Sequence, residues 1–524
     1  MLGDGLFDVN SFNSNLSMLD RKSCAKPLIV KPSVKLLPLS DRRSTLGKIS
    51  SSFVPFDSII TASSDSGSLF LNRKVSDDSS ASSTFENASF IGNCQNRSLS
   101  DTILSSPVYT TGLSRAEITL QEIIQSGQLF TFANDRLGVK ILETSYPRDE
   151  NNEMHKIVFQ RLTESTTLFT SLCHNPNGNF IVQKLVEFAT IPEQKFLLHK
   201  MVESGLMEIC KNKFACRIVQ LAIQKFDRTN VTELLTFFST SNLIAICTDQ
   251  SASHVIQRIA KSLPVEMWKF FVQFLYSGDN LMAVCQDKYG CRLVQLVIDK
   301  LAENPKFPCF PFRLQLLHSL MTCVVRNCYR LSSNEFANYV VQYAIKSSGV
   351  MEMYRDIIIE KCLLRNLLSM SQDKYASHVI EGAFFFAPPT LLSEMMDEIF
   401  DGYMKDQYSN RDALDILLFH QYGNYVVQQI ILICTSALMG KEERQLTPSE
   451  LSMYAMWYEK IRNRVYQHSS RLERFSSGKK IIDSLMKFPA LGSASVPKPT
   501  VSLLELSTQF DNLFPSFLNN SMML

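Results

Sequence analysis

A five-residue pattern recurs eight times along this 524-residue chain at nearly constant spacing, and no other feature limits the fold as strongly. Each copy has a polar or small residue, then an aromatic or basic one, then two apolar residues, then Gln or Glu. The copies read VKILE at 139–143, NFIVQ at 179–183, CRIVQ at 216–220, SHVIQ at 253–257, CRLVQ at 291–295, NYVVQ at 338–342, SHVIE at 377–381 and NYVVQ at 424–428. Successive copies are 40, 37, 37, 38, 47, 39 and 47 residues apart. Such a period belongs to repeat architectures, where a unit too small to bury its own apolar face stacks on its neighbours. A small residue precedes each copy: Gly138, Gly178, Ala215, Ala252, Gly290, Ala337, Ala376 and Gly423. Small side chains there let the start of a helix pack closely on the preceding chain.

The texture around the copies is helical. In SRAEITLQEIIQSGQLFTFA, apolar residues at Ile118, Leu120, Ile123, Ile124, Leu129 and Phe130 follow a period near 3.6, behind Ser114 as N-cap and Glu117 at the capping-box position. Similar segments continue to about residue 488. On a helix, positions one and five of each copy share a face and position two lies about 100° round from position one. The apolar pair points to the core, and all three other positions are expected to face solvent. A stack of such units forms a curved solenoid lined by a ladder of these triads. The two long intervals carry insertions, ENPKFPCFPF at 303–312 and FDGYMKDQYSN at 400–410, which map to loops. Residues 1–113 differ in kind: about a fifth are Ser, and apolar residues have no helical or strand period. The expectation for them is a disordered tail.

Composition removes several function classes. The 53 Lys and Arg nearly balance the 51 Asp and Glu, giving a net charge of +2, and the tail takes about half of that excess, so no strongly basic domain is present. Thirteen cysteines show no C-x-x-C and the eight histidines no H-x3-5-H pair, so neither structural zinc nor a disulfide framework is expected. Cys210 and Cys216 recur in register as Cys285 and Cys291, which repetition of one unit explains. No apolar run reaches about 18 residues, so no membrane span is expected. The opening MLGDGLFDVN lacks the basic start of a secretory leader. No nucleophile, acid and base come together, so an enzyme and a cofactor are not expected.

The triads have a chemical meaning. A ring or guanidinium plane alternates with an amide or carboxylate at every step. Single-stranded RNA needs that alternation, because bases stack on flat groups and pair their edges with amides and carboxylates. Stacking contributes about 1–3 kcal/mol per base and does not depend on net charge. A scaffold that binds other proteins is the rival class.

The chain resembles the PUF (Pumilio-like) family of RNA-binding proteins over about residues 114–488. The resemblance implies an all-α fold: a right-handed curved helical-repeat solenoid of eight Pumilio-type repeats plus terminal caps, occupying 114–495 between the tail and a C-terminal segment, 496–524. In the family the RNA runs antiparallel to the repeats, so the eighth meets the 5′ base. Asn with Gln reads uracil, Ser with Glu guanine, and Cys or Ser with Gln adenine, with position two stacking. The resemblance therefore assigns uracil to Asn424, Tyr425 and Gln428, guanine to Ser377, His378 and Glu381, and uracil to Asn338, Tyr339 and Gln342. Adenine falls to Cys291, Arg292 and Gln295, a second adenine to Cys216, Arg217 and Gln220, and uracil to Asn179, Phe180 and Gln183. The implied site is 5′-UGUA-N-AU. Repeat 4, with Ser253, His254 and Gln257, departs from the usual Asn and should discriminate weakly. In repeat 1, Val139 cannot pair with a base and Lys140 with Glu143 replace the usual Arg and Gln, so little base choice is expected there. An extra unread base near the centre and a nine-nucleotide register stay open.

The resemblance further implies a monomeric, cytoplasmic protein on 3′ untranslated regions of messenger RNA, repressing them through co-repressor proteins and a deadenylase complex. The loop before repeat 8, with Tyr403 and Tyr408, is the implied partner contact. A ribosome-assembly relative is a further alternative, although such relatives tend to have eroded triads and a basic surface. Lys184, Arg258, Lys261, Lys300 and Lys346, just after the motifs, are candidates for phosphate contact. GKKIIDSLMKF at 478–488 reads as a degenerate terminal copy that covers the last apolar face. Arg42, Arg43 and Ser44 form a weak kinase-site pattern, and VSLLELSTQF near the C-terminus suggests a short docking helix.

Overall fold

In the computed structural model, residues 118–149, 152–408, 410–441 and 445–486 are described, and all fall within one compact unit of the chain. The tail, Ser114, Glu117, Arg42, Arg43, Ser44 and the segment from 495 lie outside the described residues. The first described helix, Leu120–Gln125, begins at Thr119, whose side chain and that of Glu122 form a reciprocal capping box.

Each repeat is a set of three helices: an outer helix, a short helix, and the helix that carries the five-residue motif. Repeat 3 is typical, with Ile191–Glu203, Leu206–Lys211 and Cys216–Lys225. Repeat 8 has Pro389–Asp401, Ala413–Phe419 and Gly423–Leu438. Each motif helix packs on the motif helix of the next repeat in an unbroken series from repeat 1 to repeat 8, as a solenoid requires. The described residues are helical throughout and pair into no strand ladder.

The apolar pair of each motif supplies the seam between repeats. Ile181 and Val182, Ile218 and Val219, Val255 and Ile256, Leu293 and Val294, Val340 and Val341, Val379 and Ile380, and Val426 and Val427 are all buried. Burying one such side chain is worth about 1.5–3 kcal/mol. In repeat 1, Leu142 is buried while Ile141 is only partly covered.

The small residue before each motif has the steric role its recurrence suggests. A Cβ added to Gly290 would lie 2.0 Å from the carbonyl oxygen of Val284, six residues earlier in the short helix. Gly138 and Gly178 meet the carbonyls of Phe132 and Leu172 at the same offset. The alanines at this position, Ala215, Ala252, Ala337 and Ala376, are fully buried. Gly478, in the degenerate terminal copy, repeats the contact, with its added Cβ 2.1 Å from the Leu472 carbonyl. That copy belongs to a further three-helix unit, Pro448–Gln467, Ser469–Leu472 and Ser476–Met486, whose last helix packs on the repeat 8 motif helix. Arg464 clamps this cap to repeat 8, with Nη1 2.6 Å from Asp412 Oδ2 and 2.9 Å from Asp415 Oδ1.

The two insertions form loops at 303–309 and 402–408, while Phe310–Phe312 already belong to the following helix and Phe400 and Asp401 to the preceding one. Arg313 donates to the carbonyls of Lys300 and Asn304 and closes the first. Asp406 accepts from the Tyr408 amide in the second.

The glycine contact is testable within one protein. Gly290→Ala should lower stability by about 1–3 kcal/mol, because the added methyl meets rigid backbone. Gly382→Ala, where nothing lies within 4 Å of the added Cβ, should raise it by about 0.5–1 kcal/mol. Urea unfolding of the two variants measures both.

Candidate nucleic-acid interface

The motif helix starts at a fixed turn. Four residues before position one stands Asp135, Asn175, Asn212, Asp249, Asp287, Asn334, Asp373 or His420 in repeats 1 to 8. Each side chain accepts from the two backbone N–H groups that immediately precede position one. In repeats 1 to 7 an Asp or Asn oxygen accepts at 2.7 to 3.0 Å. In repeat 8 the acceptor is His420 Nδ1, at 3.2 and 3.3 Å from Tyr422 N and Gly423 N. These bonds satisfy donors that a helix start would otherwise leave open. Reading the triads alone misses these residues; their constant offset of four in all eight copies is the signal that finds them.

Position one is not on the surface. Val139, Asn179, Cys216, Ser253, Cys291, Asn338, Ser377 and Asn424 are all buried, which corrects the expectation that the whole triad faces solvent. The cause is the turn itself, which folds the preceding backbone over this residue in the first turn of the helix. In the three Asn repeats the side-chain amide donates to two carbonyls of that turn: Asn179 to Asn175 and Pro176, Asn338 to Asn334 and Glu335, Asn424 to His420 and Gln421. The Asn Oδ1 is thereby turned toward position five. It accepts from Gln183 Nε2 at 2.9 Å, Gln342 Nε2 at 2.6 Å and Gln428 Nε2 at 2.9 Å. Position one thus anchors the glutamine and leaves its second N–H and its Oε1 outside this bond.

In the cysteine repeats the anchor is a thiol. Cys216 accepts from Gln220 Nε2 at 3.7 Å and donates to the Lys213 carbonyl, and Cys291 donates to the Lys288 carbonyl. Burial pushes the Cys291 thiol up to about 11, and it raises Cys216 against the opposing effect of Arg217. Both are held as neutral S–H groups at neutral pH. Ser253 and Ser377 bond to the carbonyls of Gln250 and Lys374.

Position two is open by contrast. Lys140, Phe180, Arg217, His254, Arg292 and Tyr339 are exposed, with Phe180 at 38% and Tyr339 at 54%; His378 and Tyr425 are half-buried. His378 Nδ1 lies 3.5 Å from Glu381 Oε1, so the plane and the carboxylate of repeat 7 are set together. From repeat 2 to repeat 8 the ladder therefore alternates a flat group at position two with an amide at position five, or with the Glu381 carboxylate in repeat 7. Glu143 of repeat 1 is half-buried beside a Val139 that offers it no polar anchor.

Two expected surroundings change. Tyr403 is no exposed contact: its hydroxyl donates to Glu398 and accepts from Leu368 N, tying the loop to the core. Tyr408 projects at 99% exposure. Of the basic residues after the motifs, Lys184 and Lys300 are each engaged by an acidic residue one turn on, Glu187 at 2.8 Å and Glu303 at 2.7 Å.

The model of the Pumilio-family RNA binding repeat matches residues 169–202, 206–236, 242–261, 280–308, 327–362, 366–400 and 419–438, which covers repeats 2 to 8. The chain is 69% identical over 402 residues to Pumilio domain-containing protein 6 of Caenorhabditis elegans, covering 76% of this chain and 83% of that one. It is 34% identical over 389 residues to Fem-3 mRNA-binding factor 1 of the same organism, covering 72% and 63%. Among solved structures, it matches the crystal structure of PUF-6 in complex with 5BE13 RNA with a TM-score of 0.69 and 69% identity, over 71% of this chain and all of that one.

The turn makes a direct prediction. Asp287→Ala should cost about 0.5–2 kcal/mol of stability, while Asp287→Asn should be nearly neutral, because Asn fills the same role in repeats 2, 3 and 6. Thermal unfolding of both variants distinguishes a cap from an unspecific charge effect.

Proposed function

The chain belongs to the Pumilio family of RNA-binding repeat proteins, and from that premise we propose that it binds 5′-UGUA-N-AU elements in 3′ untranslated regions of messenger RNA and represses the bound transcripts. It is a sequence-specific RNA-binding protein and not an enzyme. The observation that carries the finer reading is the anchored pair of repeats 2, 6 and 8, with the Cys216 thiol holding Gln220 in the same way in repeat 3. With Nε2 bonded to the Asn oxygen, Gln342 and Gln428 keep one N–H and the Oε1 lone pairs for a base. Uracil presents an N3–H between two carbonyl oxygens, which matches an acceptor beside a donor. Glu381 offers only acceptors when ionised, matching the N1–H and N2–H donors of guanine. The cysteine repeats set a small neutral group against Gln220 and Gln295, which pair with the donor and acceptor edge of adenine.

Fem-3 mRNA-binding factor 1 carries messenger RNA in its name, and that relationship supports messenger RNA as the class of target. Repression proceeds through co-repressor proteins and a deadenylase complex, with the exposed Tyr408 as the anchor on this chain. A monomer in the cytoplasm suffices for this work. The near balance of charge fits a reader that gains its affinity from stacking and edge pairing, since counterion release grows with the number of phosphates neutralised.

The reading is tested by exchanging one triad. Ser377→Asn with Glu381→Gln gives repeat 7 the pair found in repeats 6 and 8. Binding to RNAs varied at the second base should then move from guanine to uracil preference, by about tenfold or more on the scale of a good bidentate contact. Retained guanine preference would show that the assignment of bases to repeats is wrong.

A further inference from the structure

Repeats 6 and 8 carry the same triad, Asn338, Tyr339 and Gln342 against Asn424, Tyr425 and Gln428, with the same internal hydrogen bonds. They differ in the side chain that holds the preceding turn, Asn334 in one and His420 in the other. We propose that His420 is a positioning residue for base recognition by repeat 8, and that it makes recognition there dependent on pH where recognition by repeat 6 is not. The inference rests on the reading above, in which repeat 8 meets the first base.

The chemistry follows from the donors. Backbone N–H groups only donate, so His420 Nδ1, which receives two of them, must carry its lone pair. The imidazole is therefore neutral, with its proton on Nε2. Protonation at Nδ1 removes both bonds and places a positive charge at the start of a 16-residue helix, Gly423–Leu438, where the helix dipole opposes it. The Asn334 amide that holds the same turn in repeat 6 is not a titratable group.

The loss reaches the triad through one residue. The His420 carbonyl accepts from Asn424 N at 3.1 Å and from Asn424 Nδ2 at 2.8 Å, and the Gln421 carbonyl accepts from the same Nδ2 at 2.9 Å. Those bonds point Asn424 Oδ1 at Gln428. Releasing the side-chain cap frees the turn that holds both carbonyls, and Gln428 loses its fixed orientation.

The surroundings favour the neutral form. The ring is half-buried and tilted 5.8 Å from that of Tyr422, and burial lowers its pKa, with no charged group contributing. On the adjoining short helix, Asp415 is occupied by Arg464 and His468 of the cap. On the repeat 7 motif helix, His378 and Glu381 face each other. Lys479 and Lys480 of the last cap helix are exposed, and the repeat 8 motif helix itself has no Asp, Glu, Lys, Arg or His. The sign is then fixed. A neutral acceptor whose pKa is depressed holds the cap at neutral pH, and the cap is lost as pH falls through a value below the ordinary imidazole one.

The test uses the full-length protein and synthetic RNAs with a UGUA core, uracil being compared with cytosine at the first base and, separately, at the third. Between about pH 7.5 and about pH 5, first-base preference should fall roughly fivefold, in keeping with the loss of one cap, while third-base preference stays level. The comparison needs no variant, and any titration of the RNA itself affects both positions. H420N should make the first-base profile as level as the third. Parallel profiles at the two bases, or an unchanged slope in H420N, would overturn the inference. Failure to bind UGUA RNA at pH 7.5 would instead overturn the reading on which it rests.

Discussion

Everything on the reading face depends on a single turn, used eight times. A side chain four residues before the motif accepts from two backbone N–H groups, and the small residue that follows lets the motif helix settle against the carbonyls of the short helix. Either element alone is common in helical proteins. Together they fix the angle at which each motif helix leaves its turn, and hence the direction of the triad. Where the chain adds a loop, at 303–309 between repeats 5 and 6 and at 402–408 between the outer and short helices of repeat 8, this turn stays intact.

The turn also explains why the first triad residue is buried. Its task is to orient position five, and a buried anchor with every polar atom bonded is more rigid than an exposed one. Asn179, Asn338 and Asn424 each spend their amide on the turn and their oxygen on a glutamine. On the proposed reading, specificity arises from a preorganised glutamine or glutamate, while the exposed rings and guanidinium planes supply stacking that is indifferent to base identity. Repeat 1 shows what happens without the anchor: Val139 is as buried as the rest and offers nothing to Glu143.

Much of this was legible in the sequence because the repeat multiplies each signal. The helical solenoid, the buried apolar pairs and the tight packing at Gly290 follow from periodicity and residue size. The burial of position one did not follow, because helix-wheel geometry ignores the chain that precedes the helix. The caps were visible as Asp, Asn or His at one offset, but only to a search that extended beyond the five motif residues. Tyr403 could not be separated from Tyr408 by sequence, since its burial depends on Glu398 and Leu368, which are distant partners brought together by packing. The role of Gly478 was readable as a copy of the other glycines, and its contact with Leu472 places the terminal unit in the same geometry as the repeats it covers.

On the proposed reading, anchored pairs and stacking planes take a single strand one base per repeat, in the order fixed by the stack. Selection of RNA ligands from a random pool by the full-length protein tests it most directly. The expected consensus begins with UGU and continues with A, becoming permissive where repeats 4 and 1 lie. A pool enriched without any UGU-containing consensus would contradict it.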